Sequence, residues 1–293
     1  LLAGTLPPVL LGGAMRLDRR AAQAGAGGFT ATFGTEEAAV LAVQSVVRAT
    51  MAASIRLALS KRGLDPRDFA LLAFGGAGPM HAAYVARELG IRRILVPFLP
   101  GAFSAYGILV SDVRLDFGRT HVTPIEEAGP VIDGILAEFR DAARSSFADQ
   151  GLRDSPGLFP SVDLRYVGQS YEVNVPVGPP LADAFHRRHE ALYGYASRAD
   201  PIELVTVRLT ATIPRAHPVP GHVARGTAVK GTRSVLFPEG RQRTTIYDRG
   251  ALAEGFSSFG PAIVEEAYAT TVVPPGADFR VLPHGVLAVE VPP

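Results

Sequence analysis

The sequence has no cysteine, which excludes disulfides, zinc–thiolate sites and a thiol nucleophile together. Lysine is almost absent: only Lys61 and Lys230 occur, so arginine carries nearly all the positive charge, a bias read here as genomic base composition. Charged residues make up 19%, below the ~25% of an average soluble domain, and the formal net charge is only +1. Lys and Arg never run beyond adjacent pairs, so the electrostatic footprint of a nucleic-acid binder is missing. No stretch approaches ~18 unbroken apolar residues, and no membrane span is expected. The greasy start lacks a basic region and is broken by Pro7-Pro8, so no secretory signal is expected and the expected location is cytoplasmic. An initiator Met is also lacking, which predicts a chain beginning partway through a larger polypeptide.

What is present suits a folded protein. The 293 residues are 47% hydrophobic, enough for about two domains of the usual ~100–200 residues. Thr35 reads as an N-cap followed by Glu36 and Glu37, acids suited to the positive end of a helix dipole. Val40, Val43, Val47, Met51, Ile55 and Leu59 then form one apolar stripe, closed by Lys61, Arg62 and Gly63. A buried strand is expected at Phe69–Phe74, a helix at Met80–Leu89 ending at Gly90, and a strand at Ile94–Val96. Strand, helix and strand in this order predict a βαβ unit and a parallel sheet. Short helical patterns follow at Phe103–Val110, Val131–Gln150 and Leu181–Tyr193. Val162, Leu164 and Tyr166 alternate with polar residues, as do Tyr171, Val173 and Val175 across Gly168-Gln169, which predicts a hairpin. A long strand is expected over Val205–Ile213, and a soft boundary near Thr123–Pro130 divides the chain into 1–127 and a β-rich 128–293.

The main candidate site is the turn Gly75-Gly76-Ala77-Gly78-Pro79, placed between a strand and a helix. Gly75, Gly76 and Gly78 would let a phosphate or sugar approach the backbone beside a helix N-terminus; close packing of the turn is the competing explanation. It is neither a P-loop, since no Lys follows, nor a GxGxxG fingerprint, since His81 fills the sixth position. His81 could contact phosphate or relay a proton, with the helix dipole lowering its pKa, or could help cap the turn. Ser104 could donate to a ligand, but a capping serine is the favoured reading, and GxSxG spacing is absent. Asp112 and Asp116 could bind a cation but read better as solvated carboxylates. His186 and His189 have metal-compatible spacing, yet Arg187-Arg188 favour a solvent-facing helix. Glu265 and Glu266 are adjacent in a strand pattern and should face opposite sides, so they would not share a proton.

At these residues a resemblance appears. Phe74–Ala82, Val96-Pro97 and Pro100–Gly107 resemble the hydantoinase/oxoprolinase family, A-type subunit. The likeness runs on through Leu164–Gln169, Phe185–His189, Tyr193-Gly194-Tyr195, Gly260–Glu266 and Thr270–Gly276, and reaches back to Gly12–Asp18. It implies a partial actin/Hsp70/sugar-kinase-like α/β core over 1–127, followed by a β-rich α+β region over 128–293. It implies ATP-dependent opening of cyclic amides, or carboxylation of ketones in related complexes, through phosphorylation of a carbonyl-type oxygen. It places Gly75, Gly76 and Gly78 at the adenosine end of a nucleotide site, and implies ATP, Mg²⁺ and a B-type partner subunit. The family's two Asp-x-Gly-Gly-Thr-type phosphate loops are absent from this chain, so the implied partners include the N-terminal half of the A-type subunit. The chain alone is then expected to be inactive. A non-catalytic interaction module is the alternative.

Overall fold

Asp18 and Thr35 start the first two helices of the computed structural model, which describes residues 1–178, 180–219, 221, 223–225 and 227–292. A small hairpin, β1 (Val9–Leu10) with β2 (Met15–Arg16), precedes them. Helix α1 (Arg19–Phe33) is capped by Asp18, whose carboxylate accepts from the Arg20 and Ala21 amides. Helix α1 was not expected: Gly25, Gly27 and Gly28 weaken its propensity, and none of its residues is buried. Helix α2 (Glu36–Ser60) starts as expected, with Thr35 Oγ1 accepting from the Ala38 amide at 3.1 Å. Its apolar stripe is only half used. Ala52 is fully buried and Met51 and Ile55 pack on the core, whereas Val43 and Val47 are exposed. By length and composition α2 could also cross a membrane, although no such span was expected; here Met51, Ala52 and Ile55 pack on the core of the first unit.

Strand β3 (Leu71–Leu72), helix α3 (Gly78–Leu89) and strand β4 (Arg93–Val96) form the expected βαβ unit, with Leu71 opposite Ile94 and Leu72 opposite Leu95 in parallel register. The strand is shorter than the predicted Phe69–Phe74 because β3 lies at a sheet edge, where Phe69, Leu72 and Phe74 are exposed. Gly90 ends α3 in the left-handed region, as a C-terminal glycine should. A single turn at Pro100–Ala102 leads into α4 (Phe103–Val110).

The next stretch builds its own four-stranded antiparallel sheet in the order β5-β8-β6-β7. Its elements are β5 (Val113–Pro124), α5 (Ala128–Asp149), β6 (Gly157–Tyr166), β7 (Val173–Pro176), α6 (Leu181–Tyr193) and β8 (Ile202–Ile213). The β6–β7 register pairs Val162 with Val175 and Leu164 with Val173, matching the alternation in the sequence. Ile132, Leu136 and Phe139 of α5 and Phe185 of α6 close the apolar face over Leu164, Val207 and Leu209.

The remaining strands are β9 (Val229–Phe237), β10 (Gly240–Asp248), β11 (Ser257–Phe259), β12 (Ala262–Glu265), β13 (Thr270–Val273), β14 (Asp278–Val281) and β15 (Leu287–Glu290). They correct the predicted cut at 127/128. Strand β15 pairs antiparallel with β4, so the sheet β11-β14-β15-β4-β3 is mixed rather than parallel and draws on both ends of the chain. Strands cannot be parted from the neighbours that satisfy their backbone groups. The compact units are therefore 1–109 with 218–293, and 110–217. The missed strand β5 runs up to the expected soft boundary and ends at Pro124. The whole is an α/β protein.

Candidate functional site

Three turns of the first unit converge. The first is the glycine turn between β3 and α3, and the second follows β4 at Pro100–Ala102. The third, Glu266–Ala269, joins β12 to β13 and is closed by a hydrogen bond from the Glu266 amide to the Ala269 carbonyl, 3.1 Å. The Gly75 amide donates to the Pro100 carbonyl at 2.8 Å, tying the first two together. Tyr268 fixes the third against both. A Cβ at Gly76 would lie 3.3 Å from the Tyr268 carbonyl oxygen, and one at Gly101 would lie 2.5 Å from the Tyr268 Cβ. The phenyl rings of Phe74 and Phe103 pack at 5.4 Å behind the junction.

The glycines thus divide by task. Gly76 and Gly101 are small because backbone packs against them. Gly75 has φ +83°, a conformation L side chains rarely adopt, and nothing within 4 Å of a Cβ; Gly78 is equally open. Against Gly76 and Ala77 lies an apolar cavity of about 350 Å³, lined also by Leu10, Met80, Tyr268 and Thr270; Gly75 and Gly78 are not part of its lining. None of the lining residues is charged. Helix α3 begins next to it at Ala77, which has no side chain to cap the first amides.

The other sequence candidates do not meet here. His81 is buried, does not line the cavity, and makes no hydrogen bond at Nδ1. Burial, and then the nearby Arg48 guanidinium, push its pKa down, so it is neutral at pH 7. Ser104 is the second residue of α4, exposed and not its cap, because the Pro100–Ala102 turn runs straight into the helix. Asp112 accepts from the Arg215 amide, while Asp116 is held by Arg114 at 2.8 Å and Thr210 at 2.6 Å. No cluster of His, Cys, Asp or Glu suited to a metal exists among the described residues.

His186 and His189 are not solvent-facing. Both are buried on the inner face of α6, and Arg187 and Arg188 take the outer one. The Ser197 amide donates to the Tyr166 hydroxyl, which in turn sits 2.8 Å from His186 Nδ1; His189 Nδ1 lies 2.8 Å from the Tyr195 carbonyl and so carries the proton there. Glu265 and Glu266 do part company as expected. Glu265 is buried with Lys230 at 2.7 Å and Arg233 at 2.9 Å. Burial pushes the Glu266 carboxyl up to about 7, against the opposing pull of Arg249.

A mixed sheet with a glycine turn beside an uncharged cavity is the frame of an α/β protein. Two family profiles identify it further: hydantoinase/oxoprolinase matches residues 1–117 and the hydantoinase/oxoprolinase C-terminal domain matches 193–290. The chain belongs to the hydantoinase/oxoprolinase family. An uncharacterized protein of Methanocaldococcus jannaschii is 34% identical, aligning 99% of this chain with 43% of its own length. The caprolactamase subunit alpha of Pseudomonas jessenii is 30% identical over 91% of this chain and 42% of its own. The nucleotide-free structure of acetone carboxylase superposes with a TM-score of 0.84 at 22% identity, covering 99% of this chain and 45% of that one. The chain therefore spans less than half the length of the relatives it matches.

Proposed function

We propose that this chain forms one wall of an ATP site in an enzyme that opens cyclic amides at the expense of ATP. The observation that carries this reading is the cavity against Gly76 and Ala77 of the glycine turn: its uncharged lining suits the base and ribose of a nucleotide, where backbone can approach closely. The same lining offers no cation to a triphosphate, and the described residues offer no acidic cluster to Mg²⁺. The fit is thus to the nucleoside end only. In this reading the phosphates and Mg²⁺, whose charge compensation dominates phosphoryl transfer, are gripped by polypeptide outside the chain. The open edge of β3, with exposed Leu72 and Phe74 beside the glycine turn, is where that polypeptide would adjoin.

When bound, ATP would supply a phosphoryl group to the amide carbonyl oxygen, so that water can add to the carbon and the ring C–N bond can break. The residues of this chain hold and orient. Gly76 and Ala77 would let the nucleoside approach the backbone, Tyr268 packs against the glycine turn, and Met80 adds to the apolar lining. Ring opening is preferred over ketone carboxylation because the caprolactamase subunit alpha is 30% identical to this chain against 26% for the acetone carboxylase beta subunit. A B-type subunit completes the assembly in this reading.

The test is reconstitution. The chain, combined with the missing portion of an A-type subunit and a B-type subunit, should open a lactam or hydantoin ring with one ATP consumed per ring, and should do nothing alone. Absence of turnover in the full assembly would leave the non-catalytic alternative. In that assembly His81→Ala is expected to lower thermal stability but to leave the nucleotide Kd within roughly two-fold, because the imidazole does not line the cavity. A ten-fold weakening would return His81 to the nucleotide.

A further inference from the structure

Of the 25 residues of α2 only Ala39 and Ala52 are buried, and α1 buries none of its 15. Val43, Val46, Val47, Thr50, Ser54 and Leu57 recur at helical spacing along one side of α2, and all of them are exposed, Val46 by 66% and Leu57 by 57%. The two arginines of α2 lie off that side: Arg48 sits over the Tyr84 ring of α3 at 3.8 Å, and Arg56 donates to the Glu88 carbonyl. Phe29 and Phe33, one turn apart on α1, are exposed as well. Between the two helices lies a cavity of about 330 Å³, lined in part by Leu2, Ala22, Phe29, Val40 and Val43 and by no charged side chain.

Two further features mark this surface as one that is covered. The hydroxyls on it already have partners: Thr50 Oγ1 donates to the Val46 carbonyl and Ser54 Oγ to the Thr50 carbonyl, both at 2.9 Å. Taking them out of water therefore strands no donor. Helix α1, with three glycines and no buried residue, has neither the propensity nor the burial that holds a helix of its length. The covering is protein rather than lipid, because the other side of α2 is committed: Met51, Ala52 and Ile55 pack on one core with Ala82, Val85 and Ala86 of α3.

We propose that the outer face of α1 and α2 is the docking surface for the polypeptide that the relatives carry beyond the matched span. The match takes in 43% of the Methanocaldococcus jannaschii protein and 42% of the caprolactamase subunit alpha, so each holds more polypeptide outside it than within it. In those relatives that polypeptide belongs to the same chain, an advantage in effective concentration that a second copy of this chain lacks. Its contacting patch is apolar and uncharged, with aliphatic or aromatic side chains filling the groove at Phe29 and Val43. The inference rests on the reading that polypeptide outside the chain completes the assembly, and it adds a second contact to the one at the β3 edge.

The whole chain, mixed with the missing portion of an A-type subunit and no nucleotide, tests this by amide hydrogen exchange and by affinity. Amides of α1 should gain about ten-fold protection or more in the assembly. Val46→Glu with Leu57→Glu should weaken association about ten-fold or more, while the isolated variant melts within about 2 °C of the parent, since both side chains point to solvent there. Protection gained at β3 but not at α1 and α2, or association unchanged in the variant, overturns the proposal and leaves the assembly reading standing. Failure of the two parts to associate overturns both. So does neither for the cavity: adenosine titration of the chain alone reads the nucleoside separately. Co-sedimentation of the chain with phosphatidylcholine vesicles, or a dimer of the chain that the variant dissociates, would assign the face to a membrane or to a second copy and overturn the proposal.

Discussion

Gly101→Ala is expected to destabilise the first unit by about 2–3 kcal/mol, near the top of the usual range for forcing atoms into a packed site. The new methyl would stand 2.5 Å from the Tyr268 Cβ and 2.8 Å from its carbonyl oxygen, and neither is the free end of a flexible side chain. The Glu266–Ala269 turn or the Pro100–Ala102 turn must therefore shift. Denaturant titration should show a lower midpoint with an unchanged slope, the signature of lost stability rather than a changed unfolded state. Gly78→Ala is the counterpart. A Cβ there meets nothing within 4 Å and φ is not positive, so stability should stay within about 0.5 kcal/mol. Nucleoside affinity should also stay within about two-fold, because Gly78 does not line the cavity. Equal losses of stability from the two variants would mean that the glycines do not divide their work as described.

Phe279→Ala should have the larger thermodynamic effect, about 3–5 kcal/mol. The side chain is fully buried on β14 and meets the rings of Tyr247 and Phe256 at 5.6 and 6.0 Å. It belongs to one core with Ala82, Val85 and Ala86 of α3 and with Ile94 and Val96 of β4. Exchange protection should therefore drop in α3 and β4, far upstream in sequence. A loss confined to residues beyond 127 would support the continuous boundary that the sheet topology argues against.

Much of the fold was legible locally. Thr35 with Glu36 and Glu37, Gly90 after Leu89, and the alternation of Val162 and Leu164 against Val173 and Val175 are all local signals. Each is satisfied by its own neighbourhood, so the elements fall where the pattern puts them. The pairing of β15 with β4 was not legible, because an apolar period states which face is buried and never which strand covers it. Helix α1 hid behind its glycines, although Asp18 and Gly34 stand at its ends as cap and stop. The Arg187-Arg188 pair suggested exposure for its histidine neighbours, but Phe185, His186 and His189 share the face that packs inward. At the candidate site the glycine turn stood out. The Glu266–Ala269 turn that presses on it did not; a close approach is made by two chain segments, and the sequence displays only the glycine on one side.

In the proposed reading the chain offers an uncharged nucleoside wall whose lining holds no cation for phosphate. Calorimetric titration of the purified chain with adenosine, ATP, and ATP with Mg²⁺ tests it most directly. The account predicts weak binding of all three with dissociation constants agreeing within about three-fold, since the phosphates find no partner. Binding of Mg-ATP roughly a hundred-fold tighter than adenosine, or hydrolysis of ATP by the chain alone, would contradict it.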